Sequence, residues 1–158
     1  MPAAPLYKTP IAADWIDYNG HLRDAYYGLI LSLATDALMD RLGLDASYRE
    51  RTRCTLYTVE MHIHYLKEVH QSDAVVVNAT ILGSDTKRIH AALQLWCEGR
   101  AEPAATAEVM LLHIEQADPP STAPFPDPVL RAIEQFRTQW SGPIAGPGSR
   151  RMELRSRT

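Results

Sequence analysis

Tyr26, Leu29, Ile30, Leu33, Ala37 and Leu38 recur at helical spacing, and Gly43 after Leu42 supplies a stop. The spacing predicts a helix of about four to five turns. It is apolar over much of its circumference, and a helix with so little polar surface has to be buried, most simply against a sheet. The downstream chain supplies one. Tyr57, Val59, Met61, Ile63 and Tyr65 alternate with Thr58, Glu60, His62 and His64, the two-residue period of a strand with two unlike faces. Ala74 to Leu82 is rich in Val and Ile, Arg88 to Cys97 alternates more loosely, and Ala105 to Ile114 is apolar. Gly83-Ser84-Asp85 and Glu98-Gly99-Arg100 mark the turns between these three strands, which therefore read as an antiparallel meander. The expected class is α+β.

Other segments frame this core. Leu6 to Ala12 reads as a short edge strand, because Pro5 and Pro10 lack the backbone donors that a central strand needs. Asp45 to Arg53 is polar and reads as a loop. Pro119 to Pro128 breaks regular structure, and Val129, Ile133 and Phe136 then predict a short amphipathic helix. Residues 141–158, rich in Gly, Pro, Ser and Arg, read as a disordered tail, so the domain is expected to span 1–140. The sequence contains no internal repeat.

A length of 158 residues with 46% hydrophobic content suits one domain with one core. The formal charge of −3 and pI near 6.0 provide no field to attract nucleic acid or an anionic membrane. Cys54 and Cys97 are too few for a disulfide framework and form no Cys-x-x-Cys pair, and no charged n-region with an apolar h-region opens the chain. The longest apolar run, around Tyr26 to Leu33, falls well short of the ~20 residues of a membrane span. A soluble, reduced, cytoplasmic protein is expected.

The stretch Trp15-Ile16-Asp17-Tyr18-Asn19-Gly20-His21-Leu22 carries the chemistry. It sets a carboxylate and a tight turn just ahead of the apolar helix. Free N–H groups at a helix N-terminus can polarise a carbonyl, and a carboxylate beside them can attack it or deprotonate a water that does. Acyl transfer is the chemistry suggested. Asn19-Gly20 lets the chain reverse closely over the helix start, and the N–H groups of Arg23, Asp24 and Ala25 are the oxyanion candidates. Asp17 also suits a plain turn or N-cap role, Asp24 a capping role, and His21 either a contact to the substrate oxygen or capping and packing.

With Asp17, Gly20, His21 and Tyr26-Tyr27 in this order, the chain resembles the hotdog-fold acyl-CoA thioesterases of the 4-hydroxybenzoyl-CoA thioesterase-like family. Tyr65-Leu66-Lys67-Glu68-Val69-His70-Gln71-Ser72-Asp73 is similar to that family's strand-end segment, with Ser72 in place of its usual Gly. Lys87-Arg88-Ile89-His90 matches the start of the next strand. Arg23-Asp24 departs from the two Asn that many members carry. The resemblance covers roughly residues 5 to 116. WIDYNGH, TDALMDRLG and YTVEMHI together resemble, more narrowly, the betainyl-CoA thioesterases of carnitine breakdown.

The resemblance implies an antiparallel sheet wrapped around a long central helix, a thioester hydrolase with Asp17 as nucleophile or general base, and a homodimer or homotetramer with its site at the subunit boundary. CoA is then part of the substrate, and no separate cofactor is implied. Lys67, Lys87 and Arg88 are candidates for the CoA phosphates. A quaternary ammonium at the acyl end favours aromatic faces and a carboxylate, for which Trp15, Tyr18, Tyr26, Tyr57 and Glu60 are candidates. His62 and His64 share a strand face but lack a third ligand at a specific spacing, so no metal site is expected. Two alternatives remain open: a non-catalytic acyl-CoA-binding hotdog protein, and a hotdog enoyl-CoA hydratase using Asp17 and His21 as an acid/base couple.

Overall fold

The structure, a computed structural model, describes residues 5–139. The segment expected to be a disordered tail lies outside them. The central helix, α1, runs Asp24–Arg41 and buries Tyr27, Ile30, Leu31, Ala34, Thr35, Leu38 and Met39. Leu42 and Leu44 continue into the core, with Gly43 between them at φ +76°. An L side chain is strained there, which explains the stop.

Around α1 curls one antiparallel sheet. Its strands are β1 (Tyr7–Pro10), β2 (Cys54–Tyr65), β3 (Ala74–Ser84), β4 (Arg88–Cys97) and β5 (Ala105–Glu115), with a two-residue β6 (Ser121–Thr122). The order is β1-β3-β4-β5-β2, and β6 pairs with β5. The predicted meander is β3-β4-β5. β1 is the predicted edge strand, paired only with β3 among the described residues. Val75, Val77, Leu93, Leu95, Ala107, Val109 and Leu111 join Ile30, Leu31 and Leu38 in one buried cluster, to which α3 (Asp127–Gln139) adds Val129, Ile133 and Phe136. This is the helix-in-sheet arrangement that the resemblance implies.

Two local expectations change. Residues Ala46–Thr52 form a helix, α2, where the sequence suggested a loop. Asp45 caps it by accepting the Tyr48 N–H at 2.8 Å, and Arg53 ends it in the left-handed region at φ 58°. Only Tyr48 on α2 is buried, so no apolar period marked the helix. Tyr48 anchors it through a 2.9 Å hydrogen bond between its hydroxyl and His113 Nε2.

The second change concerns the two faces of β2. The pairing with β5 slips between Thr58↔Leu111 and Glu60↔Met110, so Val59 is an extra residue in a β-bulge. Directly opposed residues share a face. Tyr57, opposite Leu112, therefore shares the outer face with Glu60 and His62, while Thr58, Met61 and Ile63 lie on the side of Leu111, Val109 and Ala107. Unbroken alternation had placed Tyr57 with Met61 and Ile63.

No helix among the described residues is long and apolar enough to cross a membrane. Cys54 and Cys97 are both free. Burial, with the Asp73 carboxylate nearby, pushes the Cys97 thiol up to about 11, which keeps it protonated and unreactive.

Candidate active site

The chain enters the site through a 3-10 turn at Ala13–Trp15 and reverses over Asp17–His21. Ile16 and Leu22 pair across the reversal. The Asp17 N–H donates to the His21 carbonyl at 2.8 Å, and the Gly20 N–H donates to the Asp17 carbonyl at 3.0 Å. Gly20 sits at φ +82°, a conformation that an L side chain resists. Leu22 N–H donates to the Val69 carbonyl at 2.7 Å, tying the turn to the segment after β2.

That backbone geometry aims two donors at one carboxylate oxygen. Asp17 Oδ1 accepts the N–H of Asn19 at 2.8 Å and of His21 at 3.2 Å. Desolvation pushes this carboxyl up, but the hydrogen bonds from His21 and Asn19 and the nearby His21 and Arg23 charges outweigh it, so the pKa lies below its ordinary 3.8. Asp17 is therefore an anion at neutral pH. Its other oxygen, Oδ2, has no hydrogen-bond partner among the described residues.

Asp17 opens into a recess of about 480 Å³ that it shares with Tyr18, His21, Arg23, Asp24, Tyr27, Tyr65, Lys67 and Glu68. This volume is within the usual range for small-ligand sites. Tyr27 and Tyr65 meet edge to face with centroids 5.2 Å apart. Burial pushes the Tyr27 hydroxyl up to about 12, and it donates to the Lys67 carbonyl at 3.2 Å. Tyr65, half exposed as a residue, has its hydroxyl raised by partial desolvation and then by the nearby Asp24 charge, and donates to the Asp24 carbonyl at 3.4 Å.

Of the oxyanion candidates, the Arg23 N–H is taken by the Trp15 carbonyl at 3.0 Å. The Ala25 N–H is taken by the Asp24 carboxylate at 2.9 Å. The Asp24 N–H has no partner among the described residues. Asp24 is the first residue of α1, and its carboxylate satisfies one of the helix's free N–H groups, while Arg23 holds the N-cap position and makes no side-chain cap bond. The His21 ring turns toward Glu68, with Nε2 3.2 Å from Oε2, while Asp17 receives only the His21 backbone N–H.

The structure separates the other sequence candidates. Trp15 and Tyr26 stack on each other at 5.4 Å, partly buried against the core and outside the recess lining. Tyr57 and Glu60 lie on the outer sheet face, where Glu60, His62, His90 and Glu108 line a separate groove. Lys67 is at the recess, paired to Glu102 at 2.9 Å. Arg88 pairs with Leu112, and Tyr65 at the recess pairs with Ala105. Those rows lie seven positions apart on β5, about 23 Å of strand. Lys87 and Arg88 thus lie at the far end of the sheet, with Arg88 tied to Asp85 at 2.6 Å.

Arg23, Tyr27, Tyr65 and Glu68 complete the recess, and sequence reading gave their side chains no role. Only the non-local pairing of the turn with the segment around Val69 and His70 brings Tyr65 and Glu68 to Asp17. No local pattern signals it.

The sequence profile of the Thioesterase-like superfamily matches residues 11–133, which contain every residue of this recess. The chain belongs to that superfamily. Among relatives, a betainyl-CoA thioesterase of Pseudomonas aeruginosa is 44% identical over 128 residues, covering 81% of this chain and 80% of that protein. An L-carnitine dehydrogenase/betainyl-CoA thioesterase of Agrobacterium fabrum is 37% identical over 153 residues, 95% of this chain but 31% of that protein. A crystal structure of a candidate thioesterase from Pseudomonas putida superimposes with a TM-score of 0.86 at 42% identity, covering 99% of both chains. A Staphylococcus aureus protein solved in complex with CoA gives 0.85 at 29% identity, covering 94% of this chain and 93% of that one. As an acyl-CoA thioesterase of this superfamily, the protein has a hotdog fold, and the Asp17 recess is its candidate site.

Proposed function

We propose that this thioesterase hydrolyses betainyl-CoA, with Asp17 acting on the thioester carbonyl. The observation that carries the reading is an anionic Asp17, held by two backbone N–H groups and opening into a recess walled by tyrosines and carboxylates. The identity to a betainyl-CoA thioesterase across four fifths of both chains supports the acyl group.

Substrate geometry decides which groups can recognise the acyl end. In a betainyl thioester one methylene separates the carbonyl carbon from the quaternary nitrogen. Bonds of about 1.46 and 1.52 Å at about 111° put them roughly 2.5 Å apart. The cation must therefore sit in the same recess as the group that attacks the carbonyl. Tyr18, Tyr27 and Tyr65 offer aromatic faces there, and Asp17 and Asp24 offer negative charge. Glu60 and Tyr57, on the outer sheet face, are too far from Asp17 within one chain to hold a cation so close to the carbonyl.

Hydrolysis consumes one water and releases betaine and the CoA thiol. Asp17 Oδ2 attacks to give a mixed anhydride that water then opens, or it takes a proton from the attacking water. In both routes the thioester oxygen gains charge, and the unpartnered Asp24 N–H at the start of α1 is the group that donates to it in this reading. Arg23 and Lys67 are the cations at the recess for the CoA phosphates.

A dimer is part of this reading. β2 is twelve residues long and, among the described residues, pairs on one side only, with β5. Tyr57, Val59, Tyr65 and Leu66 lie exposed on it or just beyond it, and Leu29 is exposed on α1. Open edges that carry apolar side chains invite another strand, and a second copy beside β2 would border the recess at Tyr65.

The test compares thiol release from betainyl-CoA with release from its neutral tert-butyl isostere. A preference of roughly tenfold to a hundredfold in kcat/KM is the scale expected for a desolvated cation–π contact and a charge partner. Equal kcat/KM for the two thioesters would remove betainyl-CoA as the substrate and leave the general thioesterase.

A further inference from the structure

At the rim of the Asp17 recess the imidazoles of His21 and His70 converge with the Glu68 carboxylate, one ligand-capable atom of each lying within 4.8 Å of the others. We propose that these three side chains bind a divalent metal ion of the zinc class, at a site that the thioesterase reaction itself does not call for.

The backbone presents both rings together. His21 and His70 are direct partners in an antiparallel bridge, and opposed residues in such a pair project to one face. Their rings meet edge to face with centroids 4.9 Å apart. The segment that carries Glu68 and His70 is itself braced. Arg100 donates to the Glu68 carbonyl at 2.8 Å and to both oxygens of Asp73 at 2.9 and 2.7 Å, and Asp73 in turn accepts the His70 N–H at 2.8 Å. Two of the three ligands, His70 and Glu68, thus leave a braced stretch of backbone, and the Glu68 side chain remains free to adjust.

The spacing suits a small tetrahedral ion. Ligand bonds of about 2.0 to 2.1 Å place neighbouring ligand atoms roughly 3.3 Å apart. His21 Nε2 and Glu68 Oε2 already stand at 3.2 Å, and the Glu68 side chain is 67% exposed, free to change rotamer and close the remainder. Two imidazole nitrogens and one carboxylate form a donor set for zinc and its neighbours, whereas calcium and magnesium prefer oxygen alone. Three protein ligands leave a fourth position open.

The outer groove, with as many histidines, has no such convergence. There His62 pairs with Glu60 at 2.7 Å and His90 with Glu108 at 3.1 Å, and no three of these ligand atoms come together.

Cobalt(II) and zinc titrations of the metal-stripped protein test the proposal without any use of turnover, so failure here and failure of the betainyl-CoA reading are separate results. Cobalt should give the visible d–d bands of a low-symmetry four-coordinate site at one equivalent per chain, and zinc should displace it. His70→Ala and Glu68→Gln should each weaken zinc binding by roughly tenfold or more, with His62→Ala unchanged. Two independent ligand variants are included so that misfolding of one leaves the other informative. Absence of the cobalt bands, affinities unchanged in the folded ligand variants, or an equal loss in His62→Ala would each overturn the site.

Discussion

Asp17 and His21 hold each other through both ends of their backbone and one side chain: the Asp17 N–H reaches the His21 carbonyl at 2.8 Å, and the His21 N–H returns to Asp17 Oδ1 at 3.2 Å. The arrangement fixes where the carboxylate points and keeps it ionised. It also makes the His21 backbone, rather than its ring, the partner of Asp17.

That distinction predicts the pH profile. Because the Asp17 carboxyl lies below its ordinary 3.8, the base form is complete well under neutrality. The acidic limb of kcat/KM should therefore fall below pH 4. A limb near pH 6 to 7, the unperturbed range of histidine, would move the essential base from Asp17 to an imidazole.

Gly20→Ala should damage the turn without a steric clash, since among the described residues nothing beyond its chain neighbours lies within 4 Å of the added Cβ and the φ of +82° is what opposes it. The cost is about 1 to 2 kcal/mol, a fall of several degrees in Tm. Thiol release should fall with it, because the same turn orients Asp17. Unchanged Tm and unchanged turnover would show that the left-handed conformation is not needed.

Specificity should follow the recess and not the outer sheet face. Tyr65→Ala is expected to shrink the preference for betainyl-CoA over its neutral isostere by roughly threefold to thirtyfold. Glu60→Gln should leave that preference intact. The opposite pattern would place the acyl end at the groove around Glu60.

Sedimentation at micromolar concentration should find at least a dimer. Val59→Lys, at a 53% exposed position on β2, should shift it toward monomer by adding charge to an open edge. A fully active monomeric wild type would contradict a site bordered by two chains.

The turn between β3 and β4 predicts an acid-stability effect. Asp85 accepts the N–H groups of Lys87 and Arg88 at 2.9 and 2.7 Å and pairs with the Arg88 guanidinium, which holds its pKa down to about 2. A carboxyl depressed on folding contributes stability above its unfolded pKa, near 4, and that contribution is lost as pH falls toward 2. Asp85→Asn should therefore lower stability at neutral pH and flatten its decline between pH 4 and 2, as measured by urea unfolding. Parallel curves for both proteins would show that Asp85 plays no such part.

Much of the fold was legible because it rests on local period and punctuation. The run from Tyr26 to Leu38, the stop at Gly43 and the strands after Ala74 each declare themselves within a few residues. α2 did not, since a helix that buries only Tyr48 has no apolar stripe. Nor did the bulge at Val59, because one inserted residue reverses a face without altering composition. At the site, the tight turn at Asp17 to Gly20 was readable from turn chemistry, while a chemical role for Asp17 rested on the family resemblance, and the side chains of Tyr65 and Glu68 acquire their place only through the pairing of His21 with His70.

The most direct measurement of the account is single-enzyme turnover of betainyl-CoA by Asp17→Asn, with circular dichroism to establish that the variant is folded. Asparagine retains the acceptor oxygen for the Asn19 and His21 N–H groups but has no anionic oxygen to attack or to take a proton. Thiol release should fall by roughly a hundredfold or more. Near-normal release from the folded variant would contradict the assignment of the chemistry to Asp17.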